Sequence, residues 1–234
     1  LSDSAPYALA SNLTAYNNST RDATVTRVMA WDALGERSVG AAPVAIAPGA
    51  AAIVPTQDLR PGQAVQMLAV RLPSRIALRA TLERLEYVPE GLPKVPESLG
   101  RLELPVFSAL FPAGTSVVAG DVSLTPTECS GAPETRRRVN LTLFNAGETS
   151  ATFEVVGKAV GAGPGGDSPS QTFHVPAKSL VQFNALPVDA YPVCQPGGAW
   201  FRILGDQPFL AYISTVRPET TAGVLPYERV EIYN

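Results

Sequence analysis

A chain of 234 residues with a formal net charge of -3 has room for two ordinary domains and presents no basic field to draw in nucleic acid. Hydrophobic residues make up 45% of it and charged residues only 17%, which supports a real core and excludes wholesale disorder. The 19 glycines, 22 prolines and single histidine point to many turns, little long helix and none of the usual histidine-dependent chemistries.

The chain opens at Leu1 without a methionine, so it is expected to be a processed product or a trimmed chain, with any signal peptide out of view. Asn12-Leu-Thr-Ala-Tyr-Asn17 reads as the first strand, and Ala23 to Val28 as the second. Trp31 follows and is a candidate ligand-contact aromatic. The mild apolar run Ala41 to Pro55 is mostly Ala, Pro and Gly and is no membrane span; nothing reaches the roughly 18 apolar residues one needs. Arg75 to Glu86 carries helix formers, with Leu78, Leu82 and Leu85 at helical spacing. Ile76, Leu78, Ala80 and Leu82 also alternate, and the segment's later counterpart is strongly β, so a strand is expected. Residues 88–100, rich in Pro and Gly, read as an extended connector that closes a first domain at 1–98.

A second domain, 101–234, is expected to add N-terminal strands at Arg101 to Phe107 and Thr115 to Leu124. Asn140-Leu-Thr-Leu-Phe-Asn145 repeats the first strand 128 residues later, and Ala151-Thr152 repeats Ala23-Thr24 at the same spacing. At that offset Pro176 lies over Pro48, Val181 over Ile53 and His174 over Ile46. Gln171 to Val175, Ser179 to Phe183, Trp200 to Leu204 and Phe209 to Val216 read as further short strands, with Val230 to Tyr233 as a final one. The loop Gly161 to Ser170 has no large apolar anchor and is expected to be mobile. Strands at such intervals, given twice, predict an all-β chain: two tandem immunoglobulin-like β-sandwich domains related by internal duplication.

Cys129 and Cys194 each lie in a segment that the first copy lacks. A mutual disulfide explains both additions and favours an oxidising location: extracellular, cell-surface or periplasmic. Leu104-Pro-Val, Asn140-Leu-Thr-Leu-Phe-Asn145 and Asp206-Gln-Pro-Phe-Leu-Ala-Tyr-Ile-Ser214 resemble a group of exported bacterial repeat proteins. Their repeats open on Leu-Pro-Val-Val and close on Asp-Gln-Pro-Val-Ala-Ala-Tyr-Ala-Ser. The resemblance implies β-sandwich modules of the immunoglobulin-like and hydin-type kind; it carries over no activity and no catalytic residues.

Candidate sites are few. His174 stands in an apolar strand pattern without a nucleophile-elbow motif, so it is expected to be structural or superficial. One histidine and two scattered cysteines make no zinc set, and Asp167 and Asp206 lack calcium-loop spacing. Glu83, Glu86 and Glu219 are the carboxylates a hydrolase would use, although no motif positions them. Arg136-Arg-Arg138 reads as a strand start with two solvated arginines, or as a contact for a polyanion. Trp31, Tyr191 and Trp200 are the aromatics that could stack on sugar rings; for Trp200, beside Phe201, a core position is expected. Asn12, Asn17, Asn18 and Asn140 match the glycosylation acceptor pattern, and Asn12 and Asn140 are read as structural, their amides bonding a nearby loop. No cofactor is expected. The leading function is a non-enzymatic extracellular or cell-surface module, a spacer or a protein-interaction and adhesion element. A carbohydrate-binding pair is the alternative, with a hydrolase behind it; the partner is another surface protein or a polysaccharide.

Overall fold

A computed structural model describes residues 7–32, 35–38, 43–54, 67–71, 76–86, 98–104, 106–130, 137–161, 167–184, 186, 191–195, 197–219 and 227–233, with only the backbone described in parts of several strands. Among the described residues the protein is all-β apart from two short turns of helix, and it divides into two compact units, Leu1–Val106 and Phe107–Asn234.

The first unit contains β1 (Tyr7–Asn17), β2 (Ala23–Asp32), β3 (Gly35–Ser38), β4 (Val44–Ile46), β5 (Ala51–Val54), β6 (Met67–Arg71), β7 (Ile76–Glu86) and β8 (Ser98–Leu104). One sheet has the order β5-β1-β7-β8, and in the other β2 pairs with β3, β4 and β6. Leu13 and Ala15 of β1 meet Ala23, Val25, Ile46 and Val54 in a small core. The period of two is visible in β1, where Leu13, Ala15 and Asn17 are buried and Tyr16 is exposed.

β7 resolves the helix-or-strand ambiguity. Its eleven residues pair with β1 without interruption, from Tyr7 opposite Glu86 to Asn17 opposite Ile76. A ladder of that length satisfies the backbone more completely than an isolated helix would, and tertiary pairing overrides residue propensity. Arg101 to Leu104, expected to open the second domain, lie on β8, which pairs with β7 at the edge of the first unit's sheet. Residues 88–97 of the connector fall outside the described residues, and residues 98–100 are strand.

The second unit contains β9 (Ser116–Val122), α1 (Pro126–Ser130), β10 (Arg138–Asn145), β11 (Ala151–Ala159), β12 (Gln171–Val175), β13 (Ser179–Phe183), β14 (Ala199–Gly205), β15 (Phe209–Glu219) and β16 (Tyr227–Tyr233). Its sheets have the orders β13-β10-β15-β16 and β12-β11-β14-β9. They face each other across one core, in which Leu141 and Leu143 of β10 and Phe209 and Ile213 of β15 meet Phe153, Phe201 and Ile203. Phe153 and Phe209 touch edge-on at 5.4 Å between ring centroids. The final run, Val230 to Tyr233, belongs to β16, which pairs with β15.

The two units share one strand order: β5, β1, β7 and β8 recur as β13, β10, β15 and β16. The 128-residue spacing holds for β1 against β10, but register corrects it downstream. Ala23 pairs with Ile46, whereas its counterpart Ala151 pairs with Val175, one residue further along than a constant offset places it. His174 therefore stands where Ala45 does, not where Ile46 does. The turn confirms the slip, since Gly49 (φ 69°) and Lys178 (φ 51°) hold the same left-handed position. One extra residue between β11 and β12 accounts for the shift.

Candidate functional site

The most elaborated part of the second unit is the disulfide-closed end of its sandwich. Thr125-Pro126-Thr127-Glu128 forms a capping box: the Thr125 N–H donates to Glu128 Oε2 at 2.9 Å, and the Glu128 N–H donates to Thr125 Oγ1 at 3.3 Å. Proline at the first helical position is compatible because its missing N–H would have no partner there. The cap fixes a single turn, α1, which presents Cys129 to Cys194 at the end of a 3-10 turn, Pro192–Cys194. The two cysteines are bonded, with Cα atoms 6.1 Å apart and a separation of 65 positions in sequence. In the chain-entropy picture, closing such a loop stabilises the fold by about 4 kcal/mol.

Charge and packing support this closure. Arg137, 8% exposed, lies 3.2 Å from Glu128 Oε1 through its Nε, and its own N–H donates to the Glu128 carbonyl at 3.1 Å. Arg138 is exposed at the start of β10 while Arg137 turns inward, as alternation along a strand requires, and Arg136 lies outside the described residues. The Leu124 N–H donates to the Val193 carbonyl at 3.0 Å, which ties the end of β9's extension to the 3-10 turn.

The three candidate aromatics are not brought together. Tyr191 is buried, its ring 5.1 Å from Phe201, and its hydroxyl has no hydrogen-bond partner among the described residues. Burial pushes its pKa up to about 12, because the phenolate would lose its hydration. It therefore has no face to offer a ligand. Gly157 lies beneath it, and a Cβ at that position would come within 2.7 Å of Tyr191 Cδ1.

Trp200 departs from the expected core position. Along β14, Ala199, Phe201 and Ile203 are buried, so the pleat sends Trp200 to the outward face of the sheet, where it is half-buried. Two successive aromatics on a regular strand cannot both face the core, and Phe201 holds the inner position. The Lys158 ammonium sits 5.8 Å from the Trp200 ring centroid, and Gly120 lies opposite on β9. Trp31, in the first unit, is placed by backbone opposite Glu36 and Met67; its side chain lies outside the described residues.

The remaining polar residues serve the framework. His174 is exposed on β12 opposite Thr152. Asp206 Oδ1 accepts the Thr152 N–H at 2.8 Å, and Asp167 pairs with Lys158 at 3.2 Å. Ser168 holds the returning end of the Gly161 to Ser170 loop, its Oγ accepting the Gly157 N–H at 2.8 Å; residues 162–166 of that loop lie outside the described residues. The side chains of Glu83, Glu86 and Glu219 also lie outside them. Among the described residues no group of three His, Cys, Asp or Glu side chains could hold a metal ion, and no helix is long and apolar enough to cross a membrane.

Asn17 and Asn145, at the end of the repeated motif, bond loop backbone. Asn17 Nδ2 donates to the carbonyls of Arg21 (2.7 Å) and Ile46 (2.9 Å). Asn145 Nδ2 donates to those of Thr149 (2.8 Å), Val175 (3.1 Å) and Pro176 (3.0 Å). Asn140 is buried mid-strand, and the side chain of Asn12 lies outside the described residues. Of the acceptor-pattern asparagines whose side chains are described, Asn18 alone is exposed. The identical Asn at both motif ends was the available signal for the clamp, just as Thr-Pro-Thr-Glu was for the capped turn.

No protein family, curated protein or solved structure matches the chain. The geometry above therefore carries the functional reading without a relative to lend it one.

Proposed function

We propose that the chain is a tandem duplication of an immunoglobulin-like sandwich, exported to an oxidising compartment, where it acts without catalysis as a spacer or protein-interaction module. Membership of the exported bacterial repeat group that its motifs resemble is part of this reading. The observation that carries it is the use made of polar side chains. Asp206, Asp167, Glu128, Arg137, Asn17 and Asn145 are each spent on a turn, a strand end or a cap, and of these six only Glu128 and Arg137 meet one another, in the pair that supports the cap. The shared strand order supports duplication, and the disulfide supports export.

The carbohydrate-binding alternative rests on Trp200, whose ring lies on an outward sheet face beside Lys158 and the exposed Arg202. A polysaccharide retention screen on the full chain and on Trp200→Ala separates the two readings. The module reading expects no retention by either protein. Retention by the parent that is lost in the variant overturns it in favour of sugar binding.

A further inference from the structure

In the second unit β14 is paired on both edges, by β11 on one side and β9 on the other. β9 contributes to the core as well as to the ladder, with Ala119 and Val122 buried and Val117 packed against the same cluster. In the first unit the strand in the place of β14 is β6. Val70 of β6 lies opposite Arg27, as Ile203 of β14 lies opposite Val155, and Arg27 and Val155 are 128 residues apart. β6 pairs with β2, and among the described residues nothing pairs with its other edge.

We propose that this edge of β6 accepts a β-strand donated by a partner polypeptide, whose alternate residues are small and apolar as those of β9 are. The seating of β9 on β14 supplies the template. Main-chain hydrogen bonds from the donor would continue the β2–β6 sheet, and the strand would lie over β7 and β8 as β9 lies over β15 and β16. A sheet edge without a partner among the described residues is a template for pairing, and β9 on β14 shows which kind of strand completes it. The inference rests on the protein-interaction reading above and on the equivalence of the two units.

The test uses the full chain and a synthetic peptide with the sequence of Ser116 to Leu124, read by amide hydrogen exchange. Saturating peptide is expected to slow exchange within Met67–Arg71 by about tenfold or more. A peptide carrying aspartate at the positions of Val117 and Ala119 is expected to have no effect. Of two peptides N-methylated on alternate amides, one is expected to lose the effect and the other to retain it, because a donated strand pairs along one edge. Equal protection of Met67–Arg71 before peptide is added overturns the proposal, since the edge is then already covered. Unchanged exchange at saturation, protection confined to Ala199–Gly205, or equal behaviour of the methylated pair overturns it too. Failure of the wider interaction reading is a different result: strand uptake persists at β6 while polysaccharide is retained through Trp200.

Discussion

Asn145 and Val175 join the two sheets of the second unit: the side-chain amide at the end of β10 donates to the carbonyl at the end of β12 across 3.1 Å. Asn17 and Ile46 make the same tie in the first unit at 2.9 Å. Both asparagines are buried, and both use the side-chain oxygen to hold the turn that follows, at Gly147 N–H (2.8 Å) and Ser19 N–H (3.0 Å). A strand end, its turn and the opposite sheet are thus fixed by one amide.

Asn145→Ala is expected to destabilise the second unit by about 3 kcal/mol, because it takes the donor from three backbone carbonyls, that of Val175 in a buried bond, and the acceptor from the Gly147 N–H. Asn145→Asp is expected to be nearly as costly despite its matching shape, since it sets an oxygen against carbonyl oxygens. Urea unfolding of both variants checks this. An aspartate variant as stable as the parent would show that the donated bonds contribute little.

The staple between Cys129 and Cys194 is expected to protect both thiols from alkylation until reductant is added, as read by mass spectrometry. Replacing both cysteines with serine is expected to cost up to about 4 kcal/mol in the second unit. The first unit, which contains neither cysteine, is expected to keep its unfolding midpoint.

Removing Arg137 tests the ionic support of that staple. Arg137→Ala leaves the Glu128 carboxylate, itself only 16% exposed at the side chain, without its arginine. A loss of about 3 kcal/mol is expected, more than the roughly 1 kcal/mol expected for Thr125→Ala, which removes only the cap hydroxyl. Thermal unfolding of the two variants side by side ranks them, and the reverse order would place the cap above the ion pair.

Several of these features were legible in the residues and several were not, for reasons of scale. The strand at Ile76–Glu86 could be read because its repeat partner is β-rich, although its own leucines favour a helix. The disulfide could be read because each cysteine sits in a segment with no counterpart. The orientation of Trp200 was not legible, because a one-residue change of phase moves a side chain from core to solvent and adjacent Trp and Phe leave the phase open. The same limit hid the extra residue before β12, which only pairing register reveals. The clamp asparagines, Asn17 and Asn145, close the motif five positions after Asn12 and Asn140, the pair that the residues alone singled out. A strand's end, where backbone groups lose their ladder partners, is the place that needs a side-chain amide.

Tyr191 links burial to alkaline stability. Its pKa in the folded protein is about 12, above the ordinary 10 of an exposed phenol, because burial disfavours the phenolate. Below pH 10 the phenol is neutral in both states, and its contribution is constant. As pH rises from 10 towards 12 the unfolded chain ionises first, binds fewer protons than the folded one, and is favoured; stability falls through that window. Tyr191→Phe keeps the contact with Phe201 and removes both the ionisable group and a buried hydroxyl without a partner among the described residues. The variant is expected to be as stable as the parent or about 1 kcal/mol more so at neutral pH. It is also expected to lose less stability than the parent between pH 10 and pH 12. Urea midpoints measured at pH 8, 10 and 11.5 check both statements, and a parallel decline in the two proteins would place the alkaline sensitivity elsewhere in the chain.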